Sequence, residues 1–404
     1  MEIKIYADEL FNTIEDLRTV LDCTGDQSIT IEVREDADEH MHVFVRALGL
    51  TGNLAELKTI ARDTSGSGTV SFRYCEISKI AFAYGHRAIT ITSASQASRA
   101  TIAVGDGTIL LDKVEDVPAI SSPTAEDSRA SFDTCDLLHV VQNVMHAQSE
   151  DHICRPSLCG VQVEIAADMK LRAIATDGRR MAVSSCQVKR AELKTPSFSA
   201  FLPAKACQFL LTLQFHGAMT SIVVFGNHAR VGIETGGSSG YFDTNESTFP
   251  DWQKCVPKDP PFLCSFYTLD MHSALHRAIL ALTRTELCQP DEDDPDGEVT
   301  VENSPLVAII SHTIGSSELE LTVEDAEDPE RPKFLTTVKC NGTGGAAFSS
   351  LLNARFLYRM LCVMGGTVEV SAGKLERTEQ LGPHLFKCSE LPDFFEVIMP
   401  LRGA

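Results

Sequence analysis

Leu171-Arg172-Ala173-Ile174-Ala175-Thr176-Asp177-Gly178-Arg179-Arg180-Met181-Ala182 is the stretch of sequence that decides the fold. Its first five residues form a short, mostly apolar run that is typical of a β-strand. Thr176-Asp177-Gly178 then provides the residue types that favour a tight turn. We expect a strand, a strand-end turn, and Arg180 and Met181 immediately beyond it.

A first helix pattern occurs once in each third of the chain. Apolar residues at positions i, i+1, i+4 and i+7 predict one buried helical face. The three copies are Leu10, Phe11, Ile14, Leu17; Leu137, Leu138, Val141, Val144; and Ala274, Leu275, Ala278, Ala281.

A second pattern follows the first in each third. It begins with a Phe and has apolar residues eight, nine and twelve positions later, which is also a helical spacing. Its copies are Phe72, Ile80, Ala81, Tyr84; Phe201, Phe209, Leu210, Leu213; and Phe348, Phe356, Leu357, Met360. Two helices in the same order, three times, indicate an internal repeat.

Short alternating runs between these helices predict strands. They are Ser28 to Val33, Ala88 to Thr92, Leu171 to Ala175, Ser221 to Phe225, Glu318 to Val323 and Gly366 to Val370. Turn-rich, proline-bearing segments at 117–124 and 257–261 separate the thirds. The sequence therefore predicts an α+β protein with domains at residues 1–124, 125–259 and 260–404.

The composition is that of a folded protein, with 43% hydrophobic and 23% charged residues among 404. We expect a cytoplasmic protein, because the acidic N-terminal segment is unlike a signal peptide and no apolar run reaches membrane-spanning length. The net charge of −21 argues against a uniformly basic nucleic-acid-binding surface. Basic side chains on chosen helices remain compatible with DNA contact.

No catalytic, metal or cofactor site is expected from the motifs. The thirteen cysteines include no Cys-x-x-Cys pair, and the glycines form no phosphate-binding loop. Gly236-Gly237-Ser238-Ser239-Gly240 fits the hydrolase pattern with Ser238 as nucleophile, but strand-like sequence follows where a helix is needed. We interpret this motif as a hairpin loop and keep a serine hydrolase as an alternative.

The chain resembles the bacterial DNA polymerase III β subunit, the DNA sliding clamp. The resemblance rests on Thr176-Asp177-Gly178-Arg179-Arg180-Met181 and on three further segments in the right order. These are Pro203-Ala204-Lys205, Phe249-Pro250-Asp251-Trp252 before Val256-Pro257, and Val397-Ile398-Met399-Pro400-Leu401-Arg402. The first third shares only the helix and strand pattern.

The resemblance implies three repeated clamp domains, each with two helices against antiparallel sheets, in a head-to-tail homodimer ring around duplex DNA. It implies a non-catalytic processivity factor without sequence preference. Basic or polar side chains on or beside the helices become candidates for facing DNA: Lys79, His152, Arg155, Lys205, Arg277, Arg284, Arg355 and Arg359.

The resemblance also implies a hydrophobic cleft for peptides from the polymerase α subunit, the clamp loader and other proteins with a clamp-binding motif. The matching positions are Leu158, Thr176, Gly178, Arg179, Arg180, Met181, Pro250, Lys254, Cys255, Val397, Ile398, Met399, Pro400, Leu401 and Arg402. Arg180 and Arg402 are expected to frame an apolar trough.

Three of these positions depart from the family. Arg179 replaces a usual His, Lys254 a usual Arg, and Cys255 a usual aliphatic residue. The departures put the peptide preference in question. A clamp-like interaction scaffold that does not encircle DNA is the other alternative.

Overall fold

The computed structural model describes residues 1–23, 25–35, 40–50, 52–118, 128–166, 168–188, 191–193, 197–213, 219–225, 230–244, 248–283, 305–328, 330–374 and 381–401. The α-helices are α1 (Ala7–Leu21), α2 (Tyr74–Tyr84), α3 (Thr134–Val144), α4 (Ala204–Thr212), α5 (Thr268–Leu282) and α6 (Ala354–Leu361). None of the described helices is both long enough and apolar enough to cross a membrane.

The strands from the first half of the chain are β1 (Glu2–Tyr6), β2 (Ser28–Glu35), β3 (Met41–Leu48), β4 (Leu54–Thr59), β5 (Asp63–Ser65), β6 (Gly68–Arg73), β7 (Ala88–Thr92), β8 (Arg99–Val104), β9 (Gly107–Asp112), β10 (Ser128–Asp133), β11 (Gly160–Ile165), β12 (Lys170–Thr176) and β13 (Arg180–Gln187). The remaining strands are β14 (Ala191–Leu193), β15 (Phe198–Pro203), β16 (Met219–Val224), β17 (Arg230–Thr235), β18 (Ser238–Asp243), β19 (Phe262–Tyr267), β20 (Leu306–His312), β21 (Glu318–Asp325), β22 (Phe334–Thr343), β23 (Phe348–Asn353), β24 (Thr367–Lys374), β25 (Leu381–Cys388) and β26 (Phe394–Ile398).

One local pattern occurs six times in the part of the chain that the structure describes. Each α-helix begins at the residue after a strand, and three longer strands follow it before the next strand–helix pair. The strands β5 and β14 are short additions to this pattern. The α+β class and its repeated organisation are therefore confirmed.

The first compact unit comprises residues 1–141, 153–173 and 186–249. Its sheets have the strand orders β5-β1-β7-β8-β9 and β14-β10-β16-β17-β18-β4-β3-β2-β6, and β11 also pairs with β15. In the second sheet, β4 joins β18 through pairs such as Ala55 with Gly240.

The second compact unit comprises residues 142–152, 174–185 and 250–404. Its strands follow the order β13-β26-β25-β24-β19-β22-β21-β20-β23. The pairing of β13 with β26 draws part of the middle third into this unit. The two units therefore differ from the three predicted domains, whose boundaries stay a prediction; residue 124 lies outside the described residues.

The first helix pattern identifies most of the buried helical residues. All four pattern residues of α3 are buried, as are Leu10, Ile14 and Leu17 of α1. In α5, Ala274, Leu275 and Ala278 are buried, but Ala281 is exposed because it lies at the helix end.

The second pattern was wrong about where the helices begin. Phe72, Phe201 and Phe348 lie in the strands β6, β15 and β23 that precede α2, α4 and α6. Where a strand runs directly into a helix, buried apolar residues recur on both sides of the junction. Their periodicity alone therefore does not mark where the helix begins.

The Gly-x-Ser-x-Gly motif forms a hairpin, as predicted. Gly236 and Gly237 have φ of 53° and 96° and connect β17 to β18, where Thr235 pairs with Ser238. Positive φ at both turn residues suits the tight hairpin turns that glycine allows. Ser238 is buried, and its Oγ accepts a hydrogen bond from the Lys58 N–H at 2.9 Å. This geometry contradicts the strand-to-helix nucleophile turn of the hydrolase alternative.

Candidate partner-peptide cleft and nucleic-acid interface

The junction of β13 and β26 brings together residues that are more than 200 positions apart. Arg180 pairs with Ile398, and Met181 pairs with Val397. Beyond the paired residues, the Met399 N–H donates to the Arg179 carbonyl oxygen at 2.9 Å. Four of the cleft residues inferred from the sequence are thus neighbours on two strands.

The turn before β13 is built from the predicted Thr176-Asp177-Gly178. The Thr176 hydroxyl donates to the Arg180 carbonyl oxygen at 2.6 Å and accepts from the Gly178 N–H at 3.1 Å. The Asp177 Oδ1 accepts from the N–H groups of Arg179 and Arg180 at 2.8 and 2.9 Å. Gly178 has a φ of 84°, which favours glycine at this position.

Strand alternation divides the paired cleft residues between the two faces of the sheet. Paired residues on neighbouring strands point to the same face, and consecutive residues point to opposite faces. Met181, Val397 and Leu385 therefore share one face, because Val397 pairs with both of the others. Arg180 and Ile398 occupy the opposite face.

Arg180 does not frame an open trough, in contrast to the prediction. It is 3% exposed, and its guanidinium carbon lies 4.3 Å from the centre of the Phe356 ring on α6. Its Nε donates to the Asp177 Oδ2 at 3.0 Å. Burial lowers the pKa of the Arg180 guanidinium below its ordinary value, while the Glu396 and Asp177 carboxylates oppose this shift.

The other cleft residues differ in exposure. Thr176, Met181, Val397 and Ile398 are buried, and Pro400 and Leu401 are half-buried. Gly178, Arg179, Pro250, Lys254, Cys255 and Met399 are exposed. Leu158 is half-buried in the first unit, and Arg402 lies outside the described residues.

A cavity of about 370 Å³ lies on the Met181 and Val397 face of the second unit. Phe395, Leu385 and Lys387 line it from the sheet, and Val256 and Pro257 line it from the segment after Cys255. Sequence reasoning missed Phe395, although its position two residues before Val397 on one strand was an available signal.

A buried ionisable pair lies on the Arg180 face of the same sheet. Glu396 is fully buried, and its Oε2 is 2.7 Å from the His146 Nε2 beyond the end of α3. His384, on the neighbouring strand β25, bonds to the Ser350 hydroxyl at 2.7 Å. Burial lowers the pKa of His384 to about 4, so this imidazole is neutral at physiological pH.

The candidates for facing DNA have different surroundings. Lys79 on α2 and Arg277 on α5 are exposed, as are His152 and Arg155 in the loop after α3. Arg284 lies outside the described residues.

Three other candidates already contact polar partners. The Lys205 Nζ is 2.7 Å from the Asp22 Oδ1, and the Arg359 Nη1 is 3.2 Å from the Glu150 Oε1. Arg355 is half-buried and donates to the Thr283 hydroxyl at 3.3 Å. Burial and then the neighbouring Arg359 lower the pKa of the Arg355 guanidinium.

The three helix pairs differ in formal charge. Helices α1 and α2 contain five acidic and two basic residues, whereas α5 and α6 contain one acidic and three basic residues. Helices α3 and α4 contain one of each sign. Positive charge is therefore concentrated on the last helix pair.

Within the described parts of the chain, no three His, Cys, Asp or Glu side chains are grouped so that they could hold a metal ion.

Residues 132–251 match the family model for the DNA polymerase III beta subunit, central domain. Two curated relatives, the beta sliding clamps of Streptococcus pneumoniae strains TIGR4 and R6, are each 21% identical over 182 residues. These alignments cover 45% of this chain and 47% of each relative, so they span about half of the relatives' length.

Solved clamp structures match the fold over the whole chain. The beta subunits from Thermotoga maritima and Caulobacter crescentus each align with a TM-score of 0.75, at 16% and 18% identity, and cover 100% of both chains. A griselimycin-bound sliding clamp from Pseudomonas aeruginosa aligns with a TM-score of 0.77 at 16% identity, again over 100% of both chains. The resemblance inferred from the sequence is confirmed.

Proposed function

We propose, from the sliding-clamp fold of the whole chain and the match of residues 132–251 to the DNA polymerase III beta-subunit model, that this protein is a DNA polymerase processivity factor. It encircles duplex DNA without sequence preference and has no catalytic activity of its own. We place it in the bacterial cytoplasm, associated with the replisome. The fold match over the full chain length is the observation that carries this proposal.

The strand pairing supports a head-to-tail homodimer. The six repeats divide into two per proposed domain, and the first repeats end at β4, β13 and β22, the second at β9, β18 and β26. The strand β4 pairs with β18, and β13 pairs with β26. In both pairs, the strand that ends the first repeat of one domain pairs with the strand that ends the second repeat of the next domain. The same arrangement would pair β22 of the third domain with β9 in the first domain of a second copy.

Both of these strands have an open edge. Among the described strands, β9 pairs only with β8, and residues 334–339 of β22 pair only with β21. Leu110 on β9 is 60% exposed, and Leu335 on β22 is 71% exposed. An open edge with exposed apolar side chains is suited to pairing with another chain. These are the interface residues that the sequence alone did not reveal.

The decisive experiment is retention on nicked circular DNA in the presence of a clamp loader. We expect the wild-type protein to stay bound and to be released when the DNA is linearised. Leu110→Asp should give monomers in gel filtration and should abolish retention, whereas Leu50→Asp, at an exposed leucine away from the open edges, should preserve both. Wild-type protein that is monomeric and is never retained would contradict the proposal.

We also propose that the Met181 and Val397 face, with exposed Met399 and the adjacent cavity, binds an extended apolar peptide. Partners are the polymerase α subunit, the clamp loader and other proteins with such a motif. Exposed apolar anchors beside a pocket contribute most to such binding. Met399→Asp should weaken peptide binding by roughly tenfold in fluorescence anisotropy. Leu269→Asp, at an exposed leucine on α5, is the matched control.

A scaffold that does not encircle DNA is a second candidate, and one observation favours it. The helices that would line the ring contain seven acidic and six basic residues in total, so they are not basic on balance. For this candidate, the dimer forms but the circular DNA does not retain it.

A further inference from the structure

The exposed surface of α5 and α6 combines rings with positive charge. On α5, Leu269, His272, His276 and Leu280 follow one helical stripe, and both leucines are exposed. On α6 and at its C-cap, Arg355, Tyr358, Arg359 and Cys362 follow a second stripe at spacings of three and four residues. The two stripes are adjacent, because Tyr358 of the second stripe contacts His272 and His276 of the first.

Three rings on this surface are stacked nearly parallel. The ring centre of Tyr358 is 4.7 Å from that of His272 and 5.8 Å from that of His276, with interplanar angles of 22° and 24°. The His276 Nδ1 is 3.1 Å from the Tyr358 hydroxyl oxygen, and the His272 Nε2 is 3.6 Å from the Cys362 Sγ. These contacts fix the three ring planes in similar orientations.

Arginines flank the rings on both helices. Arg277 follows His276 directly, and Arg355 and Arg359 precede and follow Tyr358 within one turn of α6. Asp270 is the one acidic residue on these two helices, and Glu150 contacts Arg359 from the loop after α3. The surface therefore combines aromatic rings with a net positive charge.

We infer that this ring cluster, His272, His276 and Tyr358, binds single-stranded DNA by stacking unpaired bases. Aromatic platforms beside arginines are the arrangement by which proteins bind single strands without sequence preference, since every base has a stackable face. Encirclement of a duplex does not require such rings, because paired bases are already stacked within the double helix. The inference thus goes beyond the proposed function and does not depend on ring closure.

The test measures binding of a labelled oligothymidylate of about 12 nucleotides, a length within typical single-strand site sizes. Fluorescence anisotropy is recorded with the full chain at low salt and without a clamp loader. Tyr358→Ala should weaken binding by roughly tenfold, whereas Tyr358→Phe, which keeps the ring and loses only the hydroxyl contact with His276, should retain most of the wild-type affinity. His276→Ala should also weaken binding and provides a second variant on the other helix.

The matched control is Phe82→Ala on α2. Phe82 is 72% exposed, and its ring centre lies 5.3 Å from that of Phe11 on α1. The substitution therefore removes a comparable ring from an acidic helix pair. It should leave binding unchanged. No binding of the oligonucleotide by wild type, or equal binding by wild type, Tyr358→Ala and His276→Ala, overturns the inference.

Retention on nicked circular DNA separates this inference from the proposed function. Tyr358→Ala should be retained as the wild type is, because ring closure does not involve this side chain. Loss of oligonucleotide binding with normal retention supports the inference. Oligonucleotide binding that depends on Tyr358 in a protein that is never retained also supports it, while the proposed function fails.

Discussion

The first and last helix pairs have the same architecture but opposite charge. Both pairs follow their strands without a loop, and both carry contacting rings, Phe11 with Phe82 and His272 with Tyr358. Yet α1 and α2 have a formal charge of −3, whereas α5 and α6 have +2. The two pairs share the backbone arrangement of the repeat, whereas the residue types at their exposed positions differ. In the proposed ring, DNA phosphates would therefore favour the third domain over the first.

The largest effect is expected from charge reversal on the last helix pair. Arg277→Glu combined with Arg359→Glu should weaken binding to the oligonucleotide and to duplex DNA by at least roughly tenfold, because phosphate contacts dominate nonspecific affinity. Anisotropy titrations at several salt concentrations should also show a shallower salt dependence. Arg99→Glu with Arg230→Glu, in exposed ion pairs on β8 and β17, is the control with the same charge change. Equal losses in both double variants would mean that the location of the charge is unimportant.

A smaller, opposite effect is expected on the first helix pair. Glu9 and Asp16 are exposed on α1, and Glu9→Gln with Asp16→Asn removes two negative charges without changing side-chain size. DNA affinity should rise by roughly threefold at low salt and return to the wild-type value at high salt, as screening requires. The same titration measures it. A rise that persists at high salt would indicate a structural cause and not an electrostatic one.

The smallest effect is expected at Lys205, one of the residues that the sequence suggested as facing DNA. Its ammonium group is 2.7 Å from the Asp22 carboxylate, so its charge is largely compensated. Lys205→Ala should change DNA affinity by less than about twofold, because the Asp22 carboxylate already offsets the Lys205 charge and such an exposed ion pair contributes little free energy. Arg277→Ala, which removes one charge from the basic surface, is the comparison and should have the larger effect. A larger effect of Lys205→Ala than of Arg277→Ala would indicate that the DNA contact lies on the second domain.

The sequence predicted the elements better than their junctions. Leu137, Leu138, Val141 and Val144 follow a helical spacing and are all buried in α3. Phe72 fits the second helical spacing but lies in β6. Local periodicity reports which side chains face the core, and a strand that continues into a helix keeps facing the same core. The change of element is set by backbone hydrogen bonds, which side-chain spacing does not specify.

The candidate site shows the same division between local and long-range information. The turn at Thr176-Asp177-Gly178 depends on adjacent residues and was predicted correctly. The burial of Arg180 against Phe356 depends on packing between β13 and α6, which are far apart in the chain. The stacking of Tyr358 on His272 is another long-range contact, between residues 86 positions apart. A single sequence contains no signal for either contact.

The strand β22 connects the proposed subunit junction with the proposed DNA-binding surface. Its residues 334–339 have the open edge, while residues 340–343 pair with Cys264, Ser265 and Phe266 of β19. The strand β19 ends at Tyr267, and α5 begins at the next residue. A neighbouring subunit bound along β22 would therefore restrain the strand from which α5 starts. Opening and closing of the ring would then be mechanically coupled to the orientation of the helix that carries His272 and His276.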